Sequence, residues 1–252
     1  MPEYNRVVTR YKNGITEVKT YQYYQRFGYS IESEKPKHQS LVQYKSDNKL
    51  GRKKGKTKDF QEVNVVKNVL RAKSKIRALC NENSHLLTKF LTLTFAGDFT
   101  EDKINEANKI LSNFLKRLGY KYQIKIEYLC VPELQKNGKI HFHLLCNLPY
   151  IDVYELESIW KYGIVHITKI DDIQNLGAYL SSYVDKDFGK AFAGRKHFFK
   201  SKGVVYPISE KIDSDKDNTN YDITHCVYSS ENENSFCGTI YTNIYDKYTE
   251  WK

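Results

Sequence analysis

Two histidines, His141 and His143, stand two residues apart in the run KIHFHLL. Alternate side chains of a β-strand share a face, so both imidazoles point the same way and can grip one metal ion. The run YQIKIEYLCVPEL precedes them, and the Asn137-Gly138 pair between the two runs marks a hairpin. A two-residue loop at Asn137-Gly138 would set His141 opposite Leu134 and turn Glu133 to the other face. A three-residue loop, Lys136-Asn137-Gly138, would set Glu133 opposite His141, and its left-handed third position is one that glycine favours. In that register two imidazoles and a carboxylate converge. Such a set with open positions suits Mg²⁺ or Mn²⁺ bound together with phosphate oxygens, and zinc would also bind it.

The segment NLGAYLSSYVDKD (175–187) holds a second group. At about 100° per residue, Tyr179, Tyr183 and Lys186 share one helix face beside an apolar stripe of Ile173, Leu176, Leu180 and Val184. In one reading the tyrosines only widen the buried stripe, their hydroxyls at its rim. In the other they are two phenols beside an ammonium. A phenol with a pKa of about 10 is a weak nucleophile at neutral pH, and a nearby ammonium or metal ion favours its phenolate. Ser181 and Ser182 have no neighbouring base and read as small polar positions.

The elements that must position these groups follow in order. KFLTLTF (89–95) is a strand, and Thr100, Glu101 and Asp102 open a helix with a stripe of Ile104, Ala107, Leu111, Phe114, Leu115 and Leu118, stopped at Gly119. The hairpin follows, then a short helix capped by Asp152 and ended by Gly163, the strand IVHITKI (164–170), and a helix over about 172–186. The order β-α-β-β-α-β-α predicts an α+β fold with a ferredoxin-like (RRM-like) split βαβ antiparallel sheet and packed helices. Upstream, residues 62–80 read as a helix that buries Val66, Val69, Leu70, Ile76 and Leu79 and exposes Lys67, Arg71 and Lys75.

Composition bounds the rest. The 252 residues leave room for one substantial domain or a domain with an appendage, which excludes a fused helicase. A hydrophobic fraction of 40% with 21 Tyr and 12 Phe is enough for a core. Five scattered cysteines without a CxxC pair encode neither a disulfide framework nor a structural zinc site. With no long apolar run and no apolar leader, the chain reads as cytoplasmic and away from membranes. Residues 1–90 carry 20 Lys/Arg against 8 Asp/Glu, whereas 91–190 carry 12 against 13 and 191–252 carry 8 against 9. The whole positive surplus therefore lies in the first third, as suits a segment lying along a polyanion. GRKKGKT (51–57) has one residue too few between its glycines for a phosphate loop and follows no strand.

Taken together, FLTLTF, the E-x7-HFHLL hairpin and YLSSYVDK resemble the HUH endonucleases, and among them the rolling-circle replication initiators of small phages and plasmids. The resemblance covers roughly 62–205 and includes the basic helix, WKYG and GRKHFFKSKGVVYP. It implies an HUH nuclease palm in which His141 and His143 hold Mg²⁺ or Mn²⁺ with Glu133 as third ligand, while Tyr183 and Tyr179 are nucleophiles. In two-tyrosine members a lysine usually follows each tyrosine by three residues; Lys186 does so for Tyr183, whereas Ser182 stands in that place for Tyr179. The implied activity is metal-dependent nicking and joining of single-stranded or hairpin origin DNA through a 5′-phosphotyrosine, in a bacterial host cell. A host helicase and DNA polymerase are the implied partners, since no nucleotide-hydrolysis motif is present. Relaxases and transposases of the same superfamily share these motifs. A non-catalytic nucleic-acid-binding protein built on a ferredoxin-like sheet is the competing reading. The expected organisation is a basic N-terminal arm over 1–60, an endonuclease domain over 61–190, and a C-terminal extension over 191–252. Arg52, Lys53, Lys54, Lys67, Arg71 and Lys75 are the expected phosphate contacts.

Overall fold

The structure, a computed structural model, describes residues 3–26, 29–31, 58–170, 175–192, 195–217, 219, 221, 223–234 and 236–246. The chain forms two compact units, Lys58–Tyr206 and the combination of Met1–Thr57 with Pro207–Lys252.

The Lys58–Tyr206 unit contains the ferredoxin-like order. Strands β4 (Lys89–Leu93), β5 (Tyr128–Leu134), β6 (Ile140–Cys146) and β7 (Val165–Thr168) form an antiparallel sheet in the order β7-β4-β6-β5, and the two-residue β8 (Phe199–Lys200) extends it beside β5. Helix α1 (Lys58–Glu82) precedes β4, α2 (Ile104–Tyr122) links β4 to β5, and α3 (Val153–Trp160) links β6 to β7. Helices α2 and α3 each join parallel strands that have a third, antiparallel strand between them, which is the split βαβ connection.

The two sheet faces differ in what covers them. Phe142, Leu144 and Cys146 of β6 are fully buried on one face, and Phe114 of α2 meets Trp160 of α3 at 5.3 Å in an edge-on contact. The α2 stripe buries the expected residues and also Ile110, but the helix runs through Gly119 to Tyr122 and closes on a left-handed Gln123. Thr100 makes no side-chain cap there; its hydroxyl bonds the Asp102 carboxylate, and a 3-10 turn over Glu101–Lys103 leads in. Asp152 does cap α3, accepting from the Tyr154 amide at 2.9 Å, and Lys161 rather than Gly163 takes the left-handed position. On α1, Val69, Ala72, Ile76, Leu79 and Cys80 are buried, while Leu70 is 60% exposed. Leu70 lies about 100° from Val69 on the helix, off the buried stripe.

Residues 4–31, read from sequence as part of an arm, instead form β1 (Tyr4–Arg10), β2 (Thr16–Arg26) and β3 (Tyr29–Ile31). They share a sheet with β9 (Ser209–Ile212), β10 (Tyr228–Asn234) and β11 (Gly238–Tyr245), in the order β10-β11-β2-β1-β9 with β3 on β2. Val8, Val18 and Tyr245 form its small core. Arg6 pairs with Asp217 at 3.1 Å and Arg10 with Glu210 at 2.7 Å, so cations of the first third are neutralised by acids from the tail. Strand β9 (SEKI) carries a single apolar residue, Ile212, and β1 supplies the partner that its sequence does not announce.

Glu127, just ahead of β5, anchors the segment beside β8. Its buried carboxylate accepts from the Gly203 amide at 2.9 Å and from the Ser201 hydroxyl, and faces the Lys125 ammonium. A Cβ at Gly203 would fall 2.3 Å from that carboxylate, so glycine is required for the approach. Burial pushes the Glu127 pKa up, but the Lys125 ammonium, the Ser201 hydroxyl and the Gly203 amide outweigh it and hold the group below the ordinary range. A lowered folded-state pKa stabilises above the unfolded value of about 4.3, and the contribution disappears as pH falls through the folded value. Glu127→Gln should cost about 1.5–3 kcal/mol at pH 7. Urea melts from pH 7 to 3 should show the variant's deficit shrinking towards the acid end.

Candidate active site

The β5–β6 hairpin adopts the three-residue loop. Gln135 donates its amide to the Lys139 carbonyl at 2.9 Å, Gly138 donates to the Gln135 carbonyl at 2.8 Å, and Gly138 has φ of +79°. Glu133 consequently pairs with His141, and Val131 with His143. Both histidines and Glu133 lie on one face of the sheet.

His143 is 4% exposed and held at both ring nitrogens. Its Nε2 lies 2.8 Å from Glu133 Oε2 and its Nδ1 lies 3.2 Å from Thr92 Oγ1. A carboxylate can only accept, so Nε2 carries the proton, and the Thr92 hydroxyl can donate to Nδ1. Thr92 is the cross-strand neighbour of His143 on β4. Sequence reasoning marked the FLTLTF strand but not this residue; the available signal is a hydroxyl two residues from Phe90 on the same face of a buried strand. His141 is half-buried, and burial lowers its pKa, with the Glu133 charge opposing and His143 adding to the effect. The result favours the neutral imidazole, the form that binds metals.

The tyrosine segment is not one helix. α4 covers Leu176–Ser182, opened by Asn175 whose side chain accepts from the Ala178 amide at 2.9 Å, and α5 covers Lys186–Ala191. At the break, Ser181 and Ser182 hydroxyls bond the carbonyls of Ala178 and Tyr179, the Val184 amide bonds the Ser181 carbonyl, and Asp185 takes the first carbonyl position of the next helix through Gly189. Side-chain hydrogen bonding by the two consecutive serines competes with the backbone ladder where α4 ends at Ser182. The shared-face argument therefore holds for Tyr179 and Tyr183 but stops before Lys186, whose side chain lies outside the described residues, as do residues 171–174.

Tyr183 closes over the histidine. The two rings stack with centroids 3.5 Å apart at 11°, and Tyr179 meets Tyr183 edge-on at 5.5 Å and Phe90 at 5.4 Å. Tyr179 is 38% exposed, whereas Tyr183 is partly buried against the core. Burial raises the Tyr183 pKa well above 10, reinforced by a hydrogen bond to Tyr179 and by the Glu133 charge. The structure thus brings Glu133, His141, His143, Tyr179 and Tyr183 onto one sheet face and its covering helix. Among the described residues, no three His, Cys, Asp or Glu side chains are arranged to hold a metal ion. Lys67, Arg71 and Lys75 are exposed on α1; Arg52, Lys53 and Lys54 lie outside the described residues.

The class this defines is a ferredoxin-like α+β protein with a histidine–carboxylate strand pair covered by tyrosines. Residues 88–188 match the family described as Replication-associated protein ORF2/G2P, a span from the edge of β4 into α5 that takes in all five residues. The match covers less than half of the chain. No curated protein and no solved structure matches the chain. No helix among the described residues is long and apolar enough to cross a membrane.

Thr92→Val removes the hydroxyl at nearly constant shape. The variant should lose about 1 kcal/mol of stability. Its His143 ¹⁵N resonances should shift towards a tautomeric mixture, while an unchanged spectrum would mean that Glu133 alone orients the ring.

Proposed function

We propose that this protein starts rolling-circle replication by nicking and rejoining single-stranded or hairpin origin DNA through a 5′-phosphotyrosine. Tyr183 makes the first link and Tyr179 acts in a second transfer that closes the displaced strand. The observation that carries this reading is the Tyr183 ring lying flat on His143, which is itself bonded to Glu133. The match of this segment to replication-associated proteins supports it.

By donor chemistry His141, His143 and Glu133 would hold Mg²⁺ or Mn²⁺ once the hydrogen bond between His143 Nε2 and Glu133 opens and its proton leaves. When bound there, the ion supplies positive charge to the non-bridging phosphate oxygens. The protein's own groups do the rest. The phenolic oxygen of Tyr183 forms a bond to phosphorus as the bond to the 3′-oxygen breaks; Tyr183 loses a proton and the 3′-oxygen gains one, so neither oxidant nor water is consumed. Burial, the Tyr179 hydrogen bond and the Glu133 charge favour the protonated Tyr183 phenol, so forming its phenolate would call for added positive charge. Lys186, three residues on, is the proposed ammonium that aids phenolate formation. The freed 3′-hydroxyl serves a host polymerase, with a host helicase opening the duplex.

Labelled single-stranded origin DNA incubated with the protein and Mn²⁺ should yield an adduct that survives denaturation. Tyr183→Phe should abolish it, and Tyr179→Phe should still nick but fail to circularise. Full cleavage by the double Phe variant would falsify the tyrosine mechanism. DNA binding with no adduct from the wild type would favour a non-catalytic binding module.

A further inference from the structure

One cleft of the Lys58–Tyr206 unit contains none of the histidines or tyrosines of the candidate active site. It has a volume of about 840 Å³ and lies between α1 and the segment around β8. Its cations are Arg71, Lys75, Arg195, Lys196, Lys200 and Lys202, and no carboxylate lines it among the described residues. Tyr128, Phe198, Phe199 and Tyr206 are interleaved with them. A small-molecule pocket is predominantly apolar with few charges; cations alternating with aromatic rings match a strand of phosphates and bases instead.

The cleft wall is built rather than loose. Glu127 holds Ser201 and Gly203 as described above, and Asn83, 1% exposed, takes both backbone groups of Val205, donating to its carbonyl at 2.8 Å and accepting from its amide at 3.0 Å. Lys200 is committed to this wall, donating to the Val204 carbonyl at 2.6 Å with its ammonium 5.5 Å from the Tyr206 ring centroid. Arg71, Lys75, Arg195, Lys196 and Lys202 are exposed, so five cations face solvent on a fixed frame.

Position on α1 separates this cleft from the tyrosines. Arg71 and Lys75 lie about 40° apart around the helix, while Arg77 lies about 200° from Lys75. Arg77 bonds Ser181 of α4 at 3.2 Å, and its backbone lies 3.1 Å from where a Cβ on Gly177 would sit. Helix α1 thus has the tyrosine helix on one flank and the cleft on the other.

We propose that this cleft is a second, sequence-tolerant site for single-stranded DNA, holding a stretch of strand away from the scissile phosphate. The inference rests on the proposed function only for the identity of the polyanion. Phosphates meet the five exposed cations, and bases stack on Tyr206 and Phe198.

The test uses the full chain, a fluorescein-labelled 20-mer of oligo-dT, no divalent ion and anisotropy titrations over a range of salt. Arg195→Ala with Lys196→Ala should weaken binding and flatten the log K against log salt slope by about 1.4, at about 0.7 per phosphate contact. Tyr206→Ala should cost about five- to a hundredfold in affinity, whereas Tyr206→Phe, which keeps the ring beside Lys200, should retain it. Unchanged affinity and slope in the double variant would overturn the proposal. So would free dTMP displacing the 20-mer at equal nucleotide concentration, because that would make the cleft a mononucleotide site. Adduct formation on a short oligonucleotide spanning only the cleavage site should survive the double variant. If the wild type forms no adduct but the cleft variants lose oligo-dT binding, the cleft stands and the nicking mechanism fails.

Discussion

The candidate site depends on the register of one antiparallel pair. With Gly138 left-handed in a three-residue loop, Glu133 faces His141 and comes within hydrogen-bond distance of His143. Side-chain direction in a strand has period two, so a shift of one residue would send Glu133 to the face where Phe142, Leu144 and Phe114 are packed. A carboxylate there would be buried without a partner, at a cost of several kcal/mol. The same burial that stabilises the apolar face therefore selects the register that assembles the polar one. Thr92 on the neighbouring strand completes the support by bonding the other nitrogen of the His143 ring.

Helix α1 is the second organising element. Its buried stripe of Val69, Ala72, Ile76, Leu79 and Cys80 commits one side to the sheet, which leaves two flanks for other work. On one flank α4 approaches so closely that a Cβ on Gly177 would lie 3.1 Å from the Arg77 Cα, and Tyr179 and Tyr183 lie against Phe90 and His143. On the other flank Arg71 and Lys75 face the wall held by Glu127 and Asn83. Helical geometry keeps these flanks apart, so the contact with the tyrosine helix and the cationic cleft draw on different residues of one element.

Net charge by itself is a poor guide to where a polyanion would lie. The surplus of the first third is divided in the fold: Arg6 and Arg10 are paired with Asp217 and Glu210, whereas Arg71 and Lys75 remain exposed in the cleft. The cations that join those two, Arg195, Lys196 and Lys202, come from the last quarter of the chain, where acids and bases nearly cancel. Averaging along sequence hides a local field that depends on which charges are neutralised by neighbours.

Much of the central unit was legible from local pattern. Period two placed both histidines on one face, period 3.6 named the α2 stripe, and the asparagine–glycine pair marked the hairpin, because each of these is decided by neighbours within a few residues. The loop length stayed open in sequence, since both registers use the same residues, and burial of the opposite face resolved it. The break between α4 and α5 was hidden because YLSSYVDK continues a helical stripe, whereas Ser181 and Ser182 turn their hydroxyls onto the carbonyls of Ala178 and Tyr179 at the helix end. Local pattern does not mark Thr92, Glu127 and Asn83 as partners of His143, Gly203 and Val205. Their partners lie 51, 76 and 122 residues away in the chain, and a hydrogen bond across that separation exists only after the sheet and α1 have packed. The sequence alone determined that His141 and His143 share a face; tertiary packing decided that Glu133 joins them and that Tyr183 covers them, because burial is a property of the assembled layers rather than of any segment.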